Sequence, residues 1–135
     1  PEHAEDNRWL HRPKMPWELA GTRSDATTVH GQMFASLRHL AEVRRELPQL
    51  HAATQTQVLV PNDPAIVLFV RRHAAGVYVG LFNISDSWRH FPGGVLRDLG
   101  VGDGSARARE HLTGQEISLL DEIHVPPYAA WWLTS

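Results

Sequence analysis

Residues 65–72, AIVLFVRR, and residues 76–84, GVYVGLFNI, are near-continuous apolar runs separated by His73-Ala74-Ala75. Both are rich in β-branched and aromatic side chains, and the gap has the length of a hairpin connection, so the pair predicts adjacent antiparallel strands. Ile66, Leu68 and Val70 fall on one face and Val67 and Phe69 on the other. A strand apolar on both faces predicts a central position, covered from two sides. Shorter candidate strands follow the same logic at 56–60, 87–91, 106–111, 116–120 and 128–134, with PGG and GVGDG as turns. Short antiparallel strands punctuated by turns predict a mainly β fold, an antiparallel β-sandwich of Greek-key type. The glycines of GVGDG precede no helix that could hold a phosphate, so they read as a turn.

Ahead of this sheet the pattern changes. Residues 26–47 read as one helix, because Val29, Met33, Leu37, Leu40, Ala41 and Leu47 recur at three- and four-residue steps and Phe34 widens their stripe. Asp25 or a nearby threonine can cap its start, Pro48 stops it, and Arg44 and Arg45 suit the negative end of its dipole. The chain offers no second helix for this stripe, which therefore needs another partner surface. Residues 1–24 form an irregular arm, interrupted by Pro1, Pro13, Pro16 and Gly21. Three segments result: an arm over 1–24, a helix over 25–48 and a β-sandwich over 51–135. That order is odd for an independent domain. It is natural for the last loop and last helix of a (β/α)8 barrel followed by an appended sheet domain.

Composition narrows the function classes. The 135 residues are 42% hydrophobic, which fits one ordinary globular domain rather than a disordered chain. A formal charge of -2, from 13 basic and 15 acidic side chains, gives no electrostatic reason to expect nucleic acid or an anionic membrane as partner. No run approaches the ~18 apolar residues of a membrane span. The nine histidines include no H-E-x-x-H, and there is no cysteine, so neither a metal site nor a cofactor is expected. The polar start PEHAED is no signal peptide, and the first residue is not Met. These features predict a piece of a longer, cytoplasmic chain.

The arm DNRWLHRPKMPWELA, residues 6–20, resembles the segment near the last barrel strand of amylosucrases and bacterial sucrose hydrolases, members of the α-amylase superfamily. The helix GQMFASLRHLAEVRRELPQL is similar to their closing barrel helix, with Gly31, Phe34, Leu37, Arg38, Leu40, Arg44 and Pro48 in register. GLFNIS (80–85) is similar to the family strand x-x-x-N-F-S. VPPYAAWWL (125–133) is similar to its terminal L-x-P-Y-x-x-x-W-L, through Pro127, Tyr128, Trp132 and Leu133. Ile84 and Val125 depart from the family's usual Phe and Leu. The resemblance covers nearly the whole chain, in the family's order.

The resemblance implies a retaining enzyme that transfers glucose from sucrose with two carboxylates flanking the glycosidic bond. In the family both lie on earlier barrel strands. Glu2, Glu5, Asp6 and Glu18 match none of those contexts, so no catalytic residue is expected in this chain. The resemblance assigns Arg8 to the floor of a one-glucose pocket, paired with an Asp of an early barrel strand, where a guanidinium suits a buried carboxylate. Trp9 and Trp17 would stack on sugar or plug the loop onto the barrel rim, and His11, Arg12 and Lys14 would meet acceptor sugars or solvent. The expected partners are the catalytic barrel of the same polypeptide, with sucrose and α-glucan as ligands of the intact enzyme. Two other readings stand beside this one: a carbohydrate-binding module using Trp88 and Trp131, and an interaction domain docking through its helix. Trp131 and Trp132 alternate across the last strand, and the family register predicts Trp132 in the core and Trp131 on the reverse side.

Overall fold

A computed structural model of the chain describes residues 14–102 and 104–135. Two compact units divide at Leu40 and Ala41. In the first, α1 (Trp17–Gly21) and a 3-10 turn (Thr22–Ser24) precede the long helix α2 (Val29–Glu46), whose last turns belong to the second unit. The expected helix is therefore present but starts later, at Val29, because residues 22–28 are folded into a tight local turn. Thr28 is its cap: Thr28 Oγ1 accepts from Gly31 N at 3.0 Å and donates to Asp25 O at 2.9 Å. The reading of 1–24 as wholly irregular is corrected at α1. Pro16 supplies an extended N-cap there, and Ala20 N reaches Pro16 O at 3.1 Å.

Gly31 matters for a steric reason. A Cβ at this position would lie 1.9 Å from Asp25 O, so the 22–28 turn can fold back on the first turn of α2 only without a side chain there. Thr27 donates to Asp25 Oδ1 from its hydroxyl at 2.6 Å and its backbone at 2.9 Å, which holds the Asp25 carboxyl below its ordinary range.

The second unit is mainly β, and every strand pair is antiparallel. The strands are β1 (Thr56–Leu59), β2 (Ile66–His73), β3 (Gly76–Asn83), β4 (Arg89–Pro92), β5 (Arg107–Glu110), β6 (Glu116–Ser118), β7 (Glu122–Val125) and β8 (Ala130–Thr134). A six-stranded sheet runs β1-β2-β3-β8-β5-β6, and a two-stranded sheet pairs β4 with β7. The final strand thus inserts between β3 and β5 instead of adding to an edge. The β2–β3 hairpin is tighter than its spacing predicted: His73 pairs with Gly76, leaving a two-residue loop.

The sheet has two distinct faces. Leu68, Val70, Val79, Leu81 and Leu133 pack against Phe91, Ile123 and Val125 of the small sheet, with Leu96, Val101 and Leu119 completing the main core. On the reverse face Tyr78 packs with Val43 and Leu47 of the end of α2 and with Leu50. Phe69 and Trp132 lean on this second cluster. The strand alternation 68/69/70 and 131/132/133 distributes neighbours between the two layers. Trp131 therefore packs on the main core and Trp132 on the helix side, the reverse of the expected assignment. Coverage of the second face is partial, since Val67 is 37% exposed.

Two local readings change. PGG does not make a plain turn: Pro92 is the N-cap of α3 (Gly93–Asp98), which buries Leu96. Strand β7, absent from the expected set, alternates exposed Glu122 and His124 with buried Ile123 and Val125. The last strand begins at Ala130 rather than 128, because Pro126, Pro127 and Tyr128 form a turn with Ala129 N bonded to Pro126 O at 3.1 Å.

Candidate functional site

The residues singled out for sugar contact, Arg8, Trp9, His11 and Arg12, lie outside the described residues. Downstream of them, α1 and the first half of α2 enclose a groove of about 590 Å³ whose walls include Met15, Leu19, Val29, Met33, Phe34 and Leu37. The helix stripe that lines it remains exposed, from 45% at Phe34 to 75% at Val29. Beside it, Trp17 is 78% exposed. Thr22 Oγ1 donates to Leu19 O at 2.7 Å and Arg23 Nη1 to Ala20 O at 3.2 Å, closing α1 and leaving its apolar side free. A surface of this composition can bury another apolar surface. Among the described residues Arg23 and His30 are its polar lining.

Glu110 is fully buried. Its Oε1 accepts from Leu112 N at 2.8 Å and Trp132 N at 3.2 Å; its Oε2 accepts from Thr113 N at 2.7 Å and Thr113 Oγ1 at 2.6 Å. Burial alone pushes this carboxyl up, but the four donors outweigh it and hold its pKa below the ordinary value. A general acid of glycoside hydrolysis needs the opposite shift. Glu110 is a structural anion that ties the 110–113 turn to β8.

His111 donates or accepts at Thr134 Oγ1, 2.9 Å away, and its pKa is lowered by burial and by Arg109, against the pull of Glu110 and Glu46. On β4 and β7, His90 and His124 face each other with ring centroids 4.6 Å apart, and His90 Nδ1 lies 3.2 Å from Glu122. Among the described residues no group of three His, Asp or Glu side chains is arranged to hold a metal ion.

Asn83, within the GLFNIS strand, is the second polar hub. Its Nδ2 donates to Ser87 O at 2.7 Å, Pro126 O at 2.8 Å and Val125 O at 3.2 Å. Its Oδ1 accepts from Ser85 N at 3.0 Å and Ser85 Oγ at 2.7 Å. One buried amide thus fastens the loop after β3 to the loop before β8. Sequence reasoning missed both hubs as hubs. Asn83 stood in a quoted motif, but Glu110 carries no local signal except a threonine three residues on.

The tryptophan pair expected of a binding module is not assembled. Trp131 packs on the main core, while Trp88 is 60% exposed and the two share no ring contact.

The family model described as Amylosucrase, C-terminal domain, matches residues 56–134. Among solved structures the chain is similar to a mutant of MutB from crystals soaked with trehalulose, and to a mutant of the trehalulose synthase MutB in complex with Tris. Each match has a TM-score of 0.57 at 17% identity, and covers 86% of this chain and 19% of the other. The likeness is one of fold, and the chain spans about a fifth of the length of those structures.

Proposed function

This chain belongs to the amylosucrase C-terminal domain family, and from that premise we propose that it is the C-terminal portion of a retaining enzyme that transfers or hydrolyses the glucosyl group of sucrose. In this reading residues 1–24 derive from the last barrel loop, 25–48 from the last barrel helix, and 51–135 form the sheet domain that supports the barrel. The chain is not catalytic by itself. The nucleophile and the acid belong to the barrel, on strands earlier in the polypeptide.

The observation that carries the proposal is the bare apolar stripe of α2. Val29, Met33, Phe34 and Leu37 line one groove and each is 45% exposed or more. A monomeric surface of this kind normally has an occupant. A barrel helix uses such a stripe against its neighbouring strands and helices, and active sites lie at the ends of the barrel strands, where the preceding loop sits. Arg8 then reaches the glucose pocket and pairs with a carboxylate of the barrel, and Trp9, His11 and Arg12 flank the acceptor side. The guanidinium closes the pocket behind the first sugar by forked hydrogen bonds.

The test joins this chain to a catalytic barrel of the family and assays sucrose consumption. The isolated chain is expected to show none. In the joined enzyme, Arg8→Ala should lower kcat/KM by about 100-fold, or ~2.7 kcal/mol of lost transition-state binding. Met33→Asp should prevent stable assembly. Sucrose cleavage by the chain alone, or a joined enzyme indifferent to Met33→Asp, would overturn the proposal.

A further inference from the structure

A second cavity opens within the sheet unit, where its two sheets part. β1 pairs with β2 but with neither strand of the small sheet, so the end of β1 and the edge of β4 are not joined by a ladder. Between them lies a cleft of about 500 Å³, a size typical of small-molecule sites. Its apolar lining is Leu59 and Val60 at the end of β1, Leu68 of β2, Phe91 of β4 and Val95 of α3. Leu68 and Phe91 belong to the main core and are 2% and 4% exposed, whereas Val60 is 94% exposed. The cleft therefore runs from solvent down to the core.

Its sides are held by the fold itself. Asp63 Oδ1 accepts from Ala65 N at 2.8 Å, and Ile66 N donates to Asp63 O at 3.1 Å. Residues 61–66, with the stiff Pro61 and Pro64 among them, are thereby tied into a fixed turn. On the α3 side, Gly93 N donates to Asp121 O at 3.1 Å, and a Cβ at Gly93 would lie 2.5 Å from Leu119 O, so α3 starts hard against the 119–121 backbone. Tied backbone on both sides keeps the gap from closing by collapse. In a close-packed interior such an opening is uncommon.

The charged groups that line the cleft are Asp63, His90 and Glu122, with no lysine or arginine beside them in the lining. Arg89 Nη1 lies 3.9 Å from Asp63 Oδ2 and offsets that carboxylate from outside the cleft. His90 Nδ1 lies 3.2 Å from Glu122 Oε2, where a neutral imidazole donates a hydrogen bond without cancelling the charge. One net negative charge thus stands beside an apolar floor. We propose that this cleft binds a small organic monocation, a primary ammonium carried on a flat apolar body. The flat body displaces water from Leu68 and Phe91, and the ammonium makes charge-assisted hydrogen bonds with Glu122. An anion with the same body would meet two carboxylates and no cation of the lining. Because the walls are fixed in advance, binding loses little ordering entropy. The site is independent of the sucrose reading, since every residue in it belongs to the sheet unit.

The experiment titrates the isotope-labelled 135-residue chain with phenethylamine, a cation at neutral pH, and with phenylpropionate, an anion bearing the same ring, and follows the backbone amide signals. The amine is expected to give saturable shifts at Leu59, Val60, Phe91 and Val95 with a dissociation constant of about 1 mM. The carboxylate should bind about tenfold more weakly. Glu122→Gln, at an exposed position, should weaken the amine about fivefold and remove its advantage over the carboxylate, with an unchanged thermal midpoint. Val95→Phe sets a ring in the cleft and should abolish binding of both. Glu116→Gln, which removes an exposed carboxylate on β6, should bind as the parent does. Shifts confined to the helix groove around Met33 and Phe34, equal affinity for amine and carboxylate, or binding unaltered by both Glu122→Gln and Val95→Phe overturns the proposal. So does the absence of saturable shifts up to about 10 mM amine.

Discussion

Replacing Glu110 with glutamine removes a charge and changes one acceptor into a donor, without changing shape. The amide oxygen can keep the bonds from Leu112 N and Trp132 N, which both go to one carboxylate oxygen. The new NH2 group faces Thr113 N, formerly bonded at 2.7 Å, and two donors then oppose each other. The Thr113 hydroxyl can turn and accept. One orphaned donor and the weakening of charge-assisted bonds together cost about 3 kcal/mol. For a unit of this size that lowers the thermal midpoint by roughly 12–24 °C. Urea unfolding at several pH values is the assay. Because folding lowers the Glu110 pKa, the parent holds this stability in full above the ordinary carboxylate value and loses it as pH falls through the folded one. The gap between parent and Glu110→Gln should therefore narrow on acidification. A gap under ~0.5 kcal/mol at neutral pH, or one that widens in acid, would refute the view that these four bonds outweigh burial.

Other outcomes rest on the same geometry. Asn83→Asp places a carboxylate against three carbonyls that now receive hydrogen bonds from Nδ2, and should destabilise by about 3–5 kcal/mol, read by urea unfolding. Asn83→Asp should also raise hydrogen exchange in residues 84–88 and at Tyr128 and Ala129 first. Gly80→Ala sets a methyl 2.7 Å from the Phe69 ring and 2.8 Å from the Phe82 ring, which stack across Gly80 with centroids 5.3 Å apart. Forcing these rings apart costs about 1–3 kcal/mol, checked by thermal unfolding. Gly31→Ala should open the 22–28 turn while leaving the sheet unit's unfolding unchanged, seen as lost amide protection at positions 25, 27, 28 and 31 and none in the sheet. His111 adds its own pH dependence. Its lowered pKa means the fold favours neutral imidazole, so that contribution is full above about pH 6.5 and fades below it. His111→Asn should flatten the stability profile in that window.

The order of elements was legible in the chain because it arises from short-range periodicity. Near-continuous β-branched and aromatic runs at 65–72 and 76–84 with a short gap gave the hairpin, and three- and four-residue steps gave the long helix with its end before Pro48. The resemblance was legible for the same reason: Gly31, Asn83 and Pro127 occupy positions where local geometry admits few other side chains. Tertiary structure alone decided which layer each face joined. An alternating Trp131-Trp132 says that the two residues part ways, not which one meets the main core. That depends on β8 inserting between β3 and β5, far from β3 in sequence. Position 110 falls within the expected 106–111 strand, and only the convergence of Leu112, Thr113 and Trp132 makes Glu110 a hub. Tyr128 reads as a strand residue until the turn at Pro126 assigns it a left-handed backbone. Periodicity fixes which side of an element is apolar; only the closed fold determines what that side meets, since long-range partners leave no trace in local spacing.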